Sequence, residues 1–119
     1  MSWFSRSSDK PKLDWKTLNT EADFLQLLTL EEVAIFKHST RCSISTMAKN
    51  RLERGLAGKE HIPMYYLDLI AYRNVSNLIA SKLEVVHQSP QLIVLKQGEV
   101  IHQSSHNSIS PDILEKTTV

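Results

Sequence analysis

Val33-Ala34-Ile35-Phe36-Lys37-His38-Ser39-Thr40-Arg41-Cys42-Ser43-Ile44-Ser45 is the stretch on which the fold of this 119-residue chain turns. Its first four residues form an unbroken apolar run and predict a short strand over Val33–Lys37. From Ile44 onward the apolar residues recur at helical spacing: Ile44, Ala48, Leu52 and Leu56. That period predicts a helix from about Cys42 to Ala57, with Gly58 placed to end it. The only cysteine in the chain therefore stands where a strand hands over to a helix. A helix N-terminus carries unpaired N–H groups and partial positive charge, and both favour a thiolate, the reactive form of cysteine. One helical turn further on, on the same face, stands Ser45.

Working outward toward the C-terminus, Met64–Leu69 predicts a second strand. One intervening helix makes the two strands parallel, joined by a right-handed crossover. A further helix is expected from Arg73 to Lys82, with Val75, Leu78 and Ile79 inward. Gln91–Lys96 is the clearest strand of the sequence. Gln97-Gly98 supplies a tight turn into Glu99–Gln103, which makes an antiparallel hairpin. Ser110 can cap a short last helix whose first position suits Pro111. Toward the N-terminus, Asn19 or Thr20 can cap a helix starting at Glu21, with Phe24, Leu25 and Leu28 buried. Asp14–Leu18 reads as an extended segment able to add an edge to a sheet. Residues 1–12 are Ser- and Lys-rich and read as a mobile arm, so that 13–119 form a single domain. Trp3 and Phe4 stand out in that arm as groups able to pack on the body or on a partner. This order of elements is the thioredoxin arrangement: an α/β fold of three layers, with a mixed central sheet and helices on both faces. Its site is expected where a helix leaves the carboxyl end of a parallel strand.

Composition removes several classes of function. Hydrophobic residues are 41% and charged residues 23% of the chain, as in an ordinary soluble globular protein. The formal net charge of +1 gives no basic footprint for nucleic acid. A single cysteine cannot form an internal disulfide. No apolar stretch reaches membrane-spanning length, and Met1–Arg6 lacks the apolar core of a signal peptide. These features point to the cytoplasm, where cysteines stay reduced. The five histidines are scattered, and no metal site is expected. No nucleophile elbow or glycine-rich phosphate loop is present.

The bland account of a free cysteine is a small buried hydrophobe. Cys42 has poor neighbours for that role: Lys37, His38, Ser39, Thr40, Arg41, Ser43 and Ser45 are polar or basic, and its setting is that of a reactive thiol. Serine is common in first turns as a backbone acceptor, but beside a reactive cysteine the Ser45 hydroxyl could donate to the sulfur. Lys37, His38 and Arg41 could lower the thiol pKa or hold a carboxylate, although a solvated face is the usual fate of such residues. Arg41, next to the cysteine, is the strongest of the three, whereas Lys37 continues the strand and could point away. Pro90 can simply start a strand, yet a Ser89–Pro90 bond can also be cis, and in a thioredoxin fold a cis-proline loop faces the cysteine.

The segments Phe36–Ser45, His87–Gln91 and Ser105-His106 with Ile109 together resemble the monothiol bacilliredoxins, the YtxJ-like proteins of the bacillithiol system, over about Trp15 to Ile113. The resemblance implies a thioredoxin-like oxidoreductase that removes bacillithiol, or a similar small thiol, from mixed disulfides on other proteins. It matches Cys42 to the nucleophile, Ser45 to the last residue of the family's Cys-Pro-Ile-Ser, and Ser89-Pro90 to the cis-proline loop. The chain departs at Ser43, where the family usually has proline; Ser43 restores an N–H beside the sulfur. On this reading Cys42 and Ser45 are catalytic. Arg41, Ser43, Ser89 and Pro90 meet the substrate, and His38 and Thr40 support them. No cofactor is bound; the small thiol is a co-substrate, and the partners are S-thiolated proteins, with neither nucleic acid nor membrane. With serine where a dithiol enzyme has its second cysteine, an external thiol must regenerate Cys42. The competing readings are a thiol redox sensor, a non-catalytic thioredoxin-like binding module and a cluster carrier.

Overall fold

Six consecutive residues, Val33 to His38, are buried in the strand that carries the chain toward Cys42. A strand buried on both faces reads as a continuous run rather than an alternation, which is why its apolar block was so legible. A computed structural model of the chain describes residues 13–56 and 62–117. The expected arm at 1–12 and the helix-ending Gly58 lie outside the described residues.

The strands are β1 (Trp15–Thr17), β2 (Glu32–His38), β3 (Met64–Asp68), β4 (Gln91–Lys96) and β5 (Glu99–Ser105). The helices are α1 (Glu21–Leu27), α2 (Ser43–Leu56), α3 (Arg73–Leu83) and α4 (Asp112–Thr117), with a 3-10 turn at His106–Ser108. The five strands form one sheet in the order β1-β3-β2-β4-β5. β1 and β2 both run parallel to β3, while β4 is antiparallel to β2 and to β5. The sheet is therefore mixed, with β2 at its centre and β1 and β5 at its edges.

Each face of the sheet carries its own core. On one, Ala34, Phe36, Leu92 and Val94 pack with Ala48, Leu52 and Leu56 of α2, with Ile109, and with Leu114 of α4. On the other, Val33, Ile35, Ile93 and Leu95 pack with Phe24 and Leu27 of α1 and with Val75 and Ile79 of α3. These are the three layers expected.

Local chemistry explains the element ends. Thr20 caps α1, its hydroxyl accepting from the Asp23 N–H at 3.0 Å. The β4–β5 turn places Gln97 at φ 52° and Gly98 at φ 81°. Two positive φ values in a two-residue hairpin match the right-handed twist of the strands. Ser110 stands ahead of α4, with its hydroxyl accepting from the Asp112 N–H at 3.3 Å.

Two inward faces differ from the expected pattern. In α1 the buried leucine is Leu27, while Leu25 is 45% exposed. In α2 the residue turned inward at the first turn is Ser45, fully buried, and Ile44 is 46% exposed. A helical stripe counted back from Ala48 can end on either residue. Hydrogen bonds available to a serine, but not to an isoleucine, decide it.

Candidate active site

Cys42 is the residue immediately before α2, and it is half-buried. Its N–H donates to the Ser39 carbonyl at 3.1 Å, closing the turn that leaves β2. Its carbonyl accepts from the Thr46 N–H at 3.1 Å and from the Thr46 hydroxyl at 3.2 Å. Cys42 is thus the N-cap rather than a member of the first turn. The N–H groups of Ser43, Ile44 and Ser45, which open the helix, have no acceptor within it and lie at the end that bears the cysteine. Unpaired N–H groups at a helix start favour negative charge placed against them.

Ser45 is held by the strand. Its Oγ lies 2.6 Å from His38 Nδ1 and accepts the Ser39 N–H at 3.0 Å. Its bonds therefore run back to the end of β2, and not in the direction expected, to the sulfur. His38 is buried, stacked on Phe36 and edge-on to Tyr66. Burial lowers its pKa, and Lys49 lowers it further, against smaller opposing effects of Asp68 and Glu53. The lowered pKa favours the neutral form of His38, a hydrogen-bonding partner of Ser45. A hydroxyl has one proton and two acceptor positions. When Nδ1 is bare, Ser45 donates to it. When Nδ1 carries the proton, Oγ accepts twice, from His38 and from the Ser39 N–H.

The neighbouring wall is an aromatic and charged cluster. Trp15 Nε1 donates to Glu53 at 2.7 Å, and Lys49 pairs with the same carboxylate at 2.9 Å. The Lys49 ammonium lies 5.4 Å from the Tyr66 ring centroid and 6.0 Å from that of Trp15. Burial raises the Glu53 pKa, but hydrogen bonds from Lys49 and Trp15 outweigh it and hold the carboxyl below its ordinary value. Nothing in the periodicity of α2 singled out Lys49 and Glu53; their i,i+4 spacing was the one available signal.

The Ser89–Pro90 bond is cis. Lys37 of β2 pairs with Gln91 of β4, so continuing that register brings Pro90 level with His38. Pro90 and Cys42 thus flank the same end of the central strands. The Pro90 carbonyl accepts the His106 N–H at 3.2 Å. His106, at φ 54°, turns its own carbonyl to Arg51 of α2 at 2.9 Å, and Arg51 also donates to the Ile109 carbonyl at 3.1 Å. Arg51 and His106 tie the proline loop to the cysteine helix. The resemblance had drawn attention to Ser105-His106; Arg51 carried no signal.

Of the remaining sequence candidates, Thr40, Arg41 and Ser43 surround Cys42 and are exposed. Lys37 leaves the opposite face of the sheet, toward α3, and takes no part beside the thiol. Ile44 and Met47, in the first turns of the helix that follows Cys42, are apolar and 46% and 58% exposed.

Solved structures share this framework. A candidate oxidoreductase with a thioredoxin fold matches with TM-score 0.80 and 28% identity, covering 88% of this chain and 94% of its own. Thioredoxin from Malassezia sympodialis (Mala s 13) matches with TM-score 0.70 and 15% identity over 90% of both chains. Mitochondrial thioredoxin 3 from Saccharomyces cerevisiae matches with TM-score 0.64 and 20% identity, covering 86% of this chain and 91% of its own. Fold and site together are those of a thioredoxin-like thiol oxidoreductase. Residues 16–114 match the family model of the monothiol bacilliredoxin BrxC, and the chain belongs to that family. No helix among the described residues is long and apolar enough to cross a membrane.

Proposed function

We propose that the protein removes a bacillithiol-type small thiol from mixed disulfides on other proteins, with Cys42 as the nucleophile. The observation that supports this most strongly is the placement of the chain's only cysteine at the N-cap of α2, beside the cis Ser89–Pro90 loop, in a member of a monothiol family. The Cys42 thiolate attacks the small-thiol sulfur. A new S–S bond forms to Cys42 as the old one breaks, and the target cysteine leaves as a thiolate that takes up a proton. The target is reduced and Cys42 is oxidised by the same two electrons. A second thiol from solution then restores Cys42, because the chain holds no resolving cysteine. In this scheme Arg41 and Ser43 meet the small thiol, Ser89 and Pro90 meet the target, and Ser45, His38 and Thr40 shape the cysteine turn. The cytoplasm, where small thiols are abundant and reduced, is the compartment that suits this chemistry.

The reading is tested by mixing the protein with a target bearing a bacillithiol mixed disulfide and following the release of the free target thiol. Release is expected from the wild type and none above background from Cys42→Ser. Equal release by the two proteins would refute it.

A further inference from the structure

The face of the sheet opposite Cys42 carries a buried polar network that the proposed chemistry leaves unused. Lys37, fully buried near the end of β2, places its Nζ 2.7 Å from His87 Nδ1 and 3.2 Å from Gln91 Oε1. Gln91, also fully buried, donates from Nε2 to the Val86 carbonyl at 3.0 Å and to Gln103 Oε1 at 2.9 Å. Its Oε1 is 3.4 Å from the Gln88 N–H, and Ser76 of α3 approaches His87 Nδ1 at 3.4 Å. Apart from each other and Gln103 of β5, the two buried side chains bond to Val86, His87 and Gln88, the three residues that lead into Ser89–Pro90. Residues 86–89 belong to no helix or strand, so their course is set by such bonds.

We infer that Lys37, acting through His87 and Gln91, is the residue that positions the Ser89–Pro90 loop for the incoming target, from the face of the sheet remote from the thiol. A buried ammonium with neutral acceptors is costly, and an apolar residue at this position of a central strand would be the default. What the ammonium provides is charge-assisted donation to His87 of the loop and to Gln91, which itself bonds Val86 and Gln88, and such bonds are stronger than neutral ones. The groups facing it are neutral: Gln91 from β4, His87 from the loop, and Ser76 beyond His87. Arg73 of α3 acts with Lys37 to hold His87 below its ordinary pKa, after the larger effect of burial, so Nδ1 stays an acceptor. Deleting Lys37 should misplace the loop without altering the turn that carries Cys42, because Lys37 and His38 project to opposite faces.

The inference rests on the disulfide-exchange reading, and its test separates the two. Lys37→Met is expected to raise KM for a protein mixed disulfide about tenfold, equivalent to about 1.4 kcal/mol of binding. It is expected to leave kcat and the rate of Cys42 alkylation by iodoacetamide within about twofold of wild type. His87→Ala, a change at an exposed residue, should shift KM in the same direction and serves if Lys37→Met does not fold. An unchanged KM in the folded variant, or a fall in alkylation rate matching the loss of activity, would overturn the inference. If the wild type itself shows no exchange, the function proposed above fails, and the loop is read directly. Faster amide hydrogen exchange at residues 86–89 in either variant would support positioning, and unchanged exchange would overturn it.

Discussion

At the scale of single residues, the site is organised around Ser45 as much as around Cys42. The place of the cysteine was legible, because an apolar run ends before it and a helical period begins after it. The role of Ser45 was not legible, since spacing shows which residues share a helix face and not which partner a hydroxyl chooses. Here it takes the Ser39 N–H and His38 Nδ1, two groups that β2 delivers to the end of the sheet. Ser45→Ala would leave both without their partner in a buried place. The expected loss is about 1–3 kcal/mol, the cost of a stranded buried polar group, read as a lower denaturant midpoint at unchanged slope. A midpoint equal to wild type would mean that these bonds hold nothing together.

At the scale of elements, the strands and helices followed from apolar runs and helical periods, and the Gln97-Gly98 turn followed from backbone geometry. The difficulties lay at first turns and strand ends. Ile44 and Ser45 compete for the same inward position of α2, and Leu25 and Leu27 for that of α1; in a helix as short as α1 a few residues define too little of a stripe to choose. Lys37 and Gln91 resisted reading for a related reason. Lys37 follows an apolar run and Gln91 precedes one, where a polar residue usually marks the surface, yet both are fully buried because they bond to one another and to the loop. A tighter packing constraint joins α2 to the start of α4. A Cβ added at Gly55 would run into the Pro111 ring. Gly55→Ala gains about 1 kcal/mol of helix propensity but overpacks a rigid contact at a cost of about 1–3 kcal/mol. Net destabilisation is expected in thermal melts; a raised Tm would show that Pro111 yields easily.

At the scale of the whole molecule, burial of basic groups ties stability to pH. Lys37 is lowered from 10.5 to about 8 by burial. Between about 8 and 10 the unfolded chain keeps a proton that the folded chain has released, so stability rises with pH through that window. Lys37→Met should flatten this rise in urea titrations taken at pH 8, 9 and 10; an equally steep rise in the variant would place its origin elsewhere. The same sign applies to His38, His87 and His102, whose pKa values burial lowers, so stability falls as pH drops below about 6.5. The larger architecture sets the chemical limit. Three parallel strands and α2 present one cysteine, a cis-proline loop lies at the same end of the central strands, and the chain contains no second thiol. On the proposed function, the small thiol taken up in one turnover remains on Cys42 until another thiol arrives. Intact-protein mass spectrometry after a single turnover with a bacillithiolated target measures this directly. The account predicts a protein heavier by one bacillithiol, with the added mass mapped to Cys42 and the target returned as free thiol. A Cys42 that stays unmodified, yet alkylates readily, beside a target still carrying its small thiol would contradict it.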